Sequence, residues 1–208
     1  MYGKPYMLAR GILDELLRGK VGWRLVGTLL GQQGRVFTVR KLAKAAGVSV
    51  SEAAVAVRDL EKHGVLTIQP VGKSYLIGIN GRSYILNKIM RPALEAEARV
   101  LPELLTVLRK QLVEKIIISA ALFGSVVRGE ARENSDIDLL VVSDDHEAAA
   151  GVVSSAGLEV ASVFNGRLSP LIMGRKELKS RAKSKFIESV LANYTHVVGR
   201  DLRELTKG

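Results

Sequence analysis

Hydrophobic positions in the first third of the chain recur at helical spacing, in short segments closed by glycine. Leu8, Ile12, Leu16 and Leu17 mark one amphipathic helix, and Trp23, Val26, Leu29 and Leu30 mark a second, over Val21 to Leu30. Gly31 and Gly34 end it. Thr38 suits the N-cap of a short helix from Val39 to Ala46, stopped by Gly47. Ser49 or Ser51 suits the cap of a longer one that runs to His63 and stops at Gly64. The small residues of Ala45-Ala46-Gly47-Val48-Ser49 permit a tight helix-to-helix turn. After Gly64 the period changes. Val65–Ile68 and Tyr75–Ile79 are rich in β-forming residues on either side of a Gln69–Ser74 turn, which predicts a hairpin with a basic tip.

From Ser83 to Glu114 the helical period returns through Ile85, Ile89, Leu94, Val100, Leu104, Leu108 and Leu112. Pro92 and Pro102 are expected to divide it into pieces. Beyond it the pattern predicts strands at Ile116–Phe123 and Ile137–Val142 and a helix at Asp144–Ala156. A hairpin of Leu158–Phe164 with Leu168–Met173 should turn at Asn165-Gly166, before a last helix at Glu177–Ala192. The expected organisation is an α+β chain of three parts: residues 1–82, a helical linker at 83–115, and a small mixed-sheet domain at 116–208.

Charge changes this picture. Residues 1–115 hold 19 Lys and Arg against 9 Asp and Glu, whereas residues 116–208 hold 12 of each, so the formal charge of +10 belongs to the first part. A basic excess confined to one segment points to a polyanion, and duplex DNA is the polyanion that a helix-turn-helix would meet. Arg40, Lys41 and Lys44 suit phosphates, as does Lys73 at the hairpin tip; Ser49, Ser51 and Arg58 lie on the helix that would face base edges. The spacing of Arg58 and Lys62 also fits an ordinary solvated helix face. The absence of cysteine excludes disulfides and thiolate metal sites. No apolar run approaches the ~20 residues that cross a bilayer, so a cytoplasmic protein without membrane contact is expected.

The densest chemistry lies in Leu122-Phe-Gly-Ser-Val-Val-Arg-Gly-Glu-Ala-Arg-Glu-Asn-Ser-Asp-Ile-Asp-Leu-Leu-Val-Val142. Gly124-Ser125 falls at a strand-to-helix turn, where backbone N–H groups can face phosphate. Asp136 and Asp138 flank Ile137 and share one face of a strand. Two adjacent carboxylates repel each other unless a cation lies between them, and hard oxygen ligands suit Mg²⁺.

At these residues the chain resembles the minimal nucleotidyltransferases of the DNA polymerase β superfamily. Gly-Ser, roughly ten residues, and Asp-apolar-Asp form their signature, and Arg128-Gly129-Glu130 and Ser135-Asp136-Ile137-Asp138 match their usual forms. Residues 21–80 resemble a winged helix-turn-helix in the order of elements and in the Gly64-Val-Leu-Thr run. The resemblance implies Asp136 and Asp138 as Mg²⁺ ligands and Gly124, Ser125 and Arg128 as nucleotide contacts. It implies a nucleoside triphosphate, ATP first, as substrate. Active members carry a third carboxylate on a neighbouring strand, for which Glu159 is the candidate, because Ser169 stands where an acid is expected. The implied function is Mg²⁺-dependent nucleotidyl transfer to a protein or small-molecule acceptor, such as a paired toxin, coupled to DNA binding in a regulator or antitoxin-like factor. The alternative is a DNA-binding regulator with an inactive, nucleotide-sensing domain. A homodimer contact in the helical linker fits either.

Overall fold

The computed structural model describes residues 19–32, 34–72, 74–112, 115–131 and 135–207. The expected helix at Leu8–Leu17 and the tip residue Lys73 lie outside them. The described chain forms two compact units that divide between Ala98 and Arg99.

The first unit opens with α1 (Lys20–Gly31), which buries Leu25, Val26 and Leu29. Thr38 caps α2 (Val39–Ala46) by accepting from the Lys41 amide, and Gly47 closes it with φ 65°. Ser49 caps α3 (Val50–Lys62) in a reciprocal capping box with Glu52. Strands β1 (Leu66–Val71) and β2 (Ser74–Ile79) pair antiparallel, Leu66 against Ile79, and Phe37 bridges to Ile77. The hairpin is longer than the pattern predicts. Pro70 stays within β1, as a two-stranded ribbon allows, since each strand has a free edge. Leu25, Leu42, Val57, Leu60, Ile77, Leu86 and Met90 share the core. Three helices closed by this hairpin are the winged-helix arrangement.

Helix α4 (Arg91–Gln111) runs through Pro102 without a break. Proline deprives the carbonyl of Ala98 of its amide partner, and the boundary between the units falls there. Leu94 packs in the first core, whereas Leu101, Leu104, Leu105 and Leu108 pack in the second unit.

The second unit is a four-stranded mixed sheet in the order β5-β4-β3-β6. Strands β3 (Ser119–Phe123) and β4 (Ile137–Val142) are antiparallel, with the one-turn helix α5 (Ser125–Arg128) between them. Helix α6 (His146–Phe164) then crosses over to β5 (Leu168–Met173), which pairs parallel with β4. Helices α7 (Arg175–Ser180) and α8 (Lys185–Ala192) lead to β6 (Thr195–Gly199), antiparallel to β3, and to α9 (Leu202–Thr206).

Three expectations are corrected here. Leu158–Phe164 is not a strand but the end of α6, because Ala149, Val153, Ala156 and Val160 continue one buried helical face at spacings of three and four. Asn165, at φ 50°, caps that helix instead of turning a hairpin. The last expected helix is two, since the Ser184 hydroxyl caps α8 by accepting from the Ile187 amide at 3.3 Å. His196–Gly199 belong to the edge strand β6. Among the described residues α6 alone is long and apolar enough to cross a membrane by length and composition, and its apolar face is buried in the core of the second unit.

Candidate functional site

The strand-turn-helix between β3 and β4 places the two halves of the Gly-Ser…Asp-Ile-Asp motif side by side. Phe123 pairs with Asp138 across the ladder. The next residue, Gly124, adopts φ 78° and ψ −154° as the N-cap of α5. A Cβ on Gly124 would collide with the Asp138 carboxylate, so glycine is required by both its conformation and its neighbour. The Glu130 amide donates to the Ser125 carbonyl at 2.9 Å, and Gly129 closes α5 with φ 69°. Ser125 thus opens the turn beside Asp138, with Arg128 at its end.

Asp136 and Asp138 flank the buried Ile137, as the alternation requires, but their environments differ. Asp138 is partly buried, which raises its pKa; the charge of Asp136 adds to this, and Arg128 opposes it. Asp136 is held below the usual carboxylate range by hydrogen bonds from Arg167. That guanidinium is bidentate: Nε donates to one carboxylate oxygen at 2.6 Å and Nη2 to the other at 2.6 Å. Arg128 donates from Nε to Glu130 Oε2 at 2.8 Å.

The third carboxylate does not arrive. Glu159 lies on α6, exposed on the side away from the buried face, and so is not part of the site. The residue next to Asp138 on β5 is Ser169. Among the described residues, no three His, Cys, Asp or Glu side chains come together. A two-metal centre needs several hard oxygen ligands free to face the ions. Here one carboxylate of the pair carries a guanidinium on both oxygens and the neighbouring strand supplies a hydroxyl. These residues do not fit that centre.

Arg167 is the residue that sequence reasoning missed. It sits two positions before Ser169 on the strand expected to supply the acid, but the segment was expected to be the turn of a hairpin, not the entry to a parallel strand. The parallel register is what sets it beside Asp136.

In the first unit Arg40, Lys41 and Lys44 are exposed on α2 and Arg58 is exposed on α3. None of the four forms an ion pair among the described residues. Ser49 and Ser51 were expected to face DNA. Ser49 is instead committed to the helix cap: its hydroxyl donates to Glu52 at 2.5 Å and accepts from the Glu52 amide at 3.2 Å. Ser51 lies against the Ser49 hydroxyl at 3.1 Å. The Ser49 hydrogen bonds hold Glu52 below its usual pKa, so a carboxylate occupies the N-terminal turn of α3. Of the expected DNA contacts, Arg40, Lys41, Lys44 and Arg58 are thus the described cations that stand exposed.

Residues 103–204 match the nucleotidyltransferase domain family. Over 100 residues the chain is 31% identical to the Methanocaldococcus jannaschii protein named "Putative protein adenylyltransferase MJ1305". That match covers 44% of this chain and 65% of the relative, so the chain spans less than two thirds of the relative's length. Among solved structures, a toxin-antitoxin complex with AMP-PNP is similar at 19% identity and TM-score 0.35, over 50% of this chain and 79% of that one. A homodimeric winged helix-turn-helix DNA-binding domain from Mycobacterium bovis is similar at 20% identity and TM-score 0.33, over 49% and 94%.

Proposed function

With a nucleotidyltransferase domain at residues 103–204 as the premise, we propose that this protein is a DNA-binding regulator whose C-terminal unit binds a nucleoside triphosphate without transferring it. The observation that carries the reading is the pairing of Asp138 with Ser169. Nucleotidyl transfer draws its rate from charges positioned around the phosphoryl group, and that position offers a hydroxyl where a charge is needed. Binding asks for less. The Gly124-Ser125 turn offers backbone N–H groups, and Arg128 lies at the end of the same turn. The exposed cations of α2 and Arg58 would hold duplex DNA through its phosphates.

A second reading, nucleotidyl transfer to a protein, is favoured by the relative named as a protein adenylyltransferase. One experiment separates the two. The full chain is titrated with ATP by calorimetry and, in parallel, incubated with α-labelled ATP and cell extract in the presence of Mg²⁺. Binding without labelled product supports the regulator. Labelled protein that disappears in the Gly124→Ala variant establishes transfer and rejects our first reading. Absence of ATP binding rejects the site itself.

A further inference from the structure

Arg167 is anchored by its backbone as well as by its side chain. Its carbonyl accepts from the Ile137 amide at 2.8 Å, the first rung of the parallel ladder between β4 and β5. The preceding turn is tight: Asn165 is left-handed, and a Cβ on Gly166 would come within 2.8 Å of Ile137 Cδ1. The turn that delivers Arg167 is thus pinned to the residue lying between Asp136 and Asp138. The guanidinium that reaches Asp136 is bidentate and in the geometry that makes arginine selective for carboxylates. The neighbouring position on β5, where a third ligand would stand, is Ser169. A divalent cation arriving here would have to displace the guanidinium from both oxygens of Asp136 and would then find two carboxylates. Mg²⁺ retains its water shell unless several hard oxygens replace it.

We infer that Arg167 is a built-in counter-ion at Asp136, in place of a metal, so that the Gly124-Ser125 turn takes a nucleoside triphosphate without a divalent cation. The inference rests on the reading of that turn as a triphosphate site. Arg167 neutralises the carboxylate that would otherwise repel the phosphates; its two hydrogen bonds to Asp136 leave the other N–H donors of the guanidinium uncommitted, on a side chain that is 80% exposed.

The test uses the full chain and two independent readouts. In calorimetry, ATP affinity in EDTA is expected to stay within about threefold of its value in Mg²⁺. Arg167→Ala should lower the affinity measured in EDTA by about tenfold, and Arg167→Lys, which keeps the charge, should recover most of it. In Mn²⁺ titrations followed by electron paramagnetic resonance without nucleotide, the wild type should leave the ion free. The double variant Arg167→Ala/Ser169→Asp should bind it, since it exposes Asp136 and adds a third carboxylate. Wild-type Mn²⁺ binding that is lost in Asp136→Asn overturns the inference, as does ATP binding that collapses in EDTA. The Mn²⁺ readout judges the counter-ion without reference to nucleotide. Absence of ATP binding under both conditions defeats the triphosphate site and this inference with it.

Discussion

Five arginines of the second unit and four cations of the first differ in their partners. In the second, arginines are held by the protein's own carboxylates: Arg99 by Glu103, Arg128 by Glu130, Arg167 by Asp136, Arg175 by Asp144 and Arg181 by Glu177. In the first, Arg40, Lys41, Lys44 and Arg58 stand exposed with no such partner among the described residues. Exposed ion pairs contribute little to stability and are screened by salt. Their effect here is on availability. A cation already matched within the chain brings less net charge to an outside polyanion than an unmatched one does. Four arginines of residues 116–208 are matched in this way, whereas Arg40, Lys41, Lys44 and Arg58 are not, among the described residues.

The contrast breaks most readily on DNA. Replacing Arg40, Lys41 and Lys44 together by alanine should weaken binding of duplex DNA by about a hundredfold at low salt and flatten the salt dependence by about two to three in log-log slope. Removing Arg175 and Arg181 should leave both quantities unchanged. Equal losses from the two sets, measured by fluorescence anisotropy, would erase the distinction. The next largest effect belongs to Gly124. Gly124→Ala should destabilise the chain by about 2 kcal/mol in urea unfolding, from the left-handed backbone and the collision with Asp138, and should abolish ATP binding.

A smaller effect tests an internal pair of the second unit. Tyr194 donates its hydroxyl to Asp201, which also caps α9 by accepting from the Arg203 amide at 2.8 Å. Asp201→Ala should cost about 1 kcal/mol. Hydrogen bonding from Tyr194 lowers the Asp201 pKa. Its contribution is therefore present above the usual carboxylate range and lost as pH falls through the depressed value. The stability gap between wild type and Tyr194→Phe should close on acidification below about pH 4, and a gap that widens there would reverse the assignment. The smallest effect has the sharpest sign. Asp138→Asn should raise ATP affinity by about threefold if the carboxylate only repels phosphate, whereas a metal-dependent site would lose affinity.

Helices of the first unit were legible because their signals are local. Thr38, Gly47, Ser49 and Gly64 act within a turn of the boundaries they set. The Gly124…Asp138 motif was read from its resemblance to a known family, and the structure sets its two ends against each other, where a Cβ on Gly124 would meet Asp138. What failed was the decision between strand and helix at Leu158–Phe164. β-Branched Val160 and Val163 favour a strand locally, but Val160 completes the buried face begun at Ala149, and tertiary packing prevails. Glu159 followed that error out of the site. Arg167 was invisible because its partner, Asp136, is set by a parallel register that no local signal encodes.

The sheet order also sets a timetable for folding. The core of the first unit draws on residues up to Leu94, and its hairpin joins neighbours in sequence. The second sheet cannot close early: β5 waits for the crossover of α6, and β6 pairs with β3 only when Ala120 meets the distant Val198. Contacts so distant in sequence form slowly. During synthesis the winged helix should therefore acquire its fold while β3, including the strand edge that leads into Gly124, still waits for its outer neighbour. Interrupted synthesis would leave a folded first unit and a second unit with one open edge, the kind of exposed strand that invites aggregation.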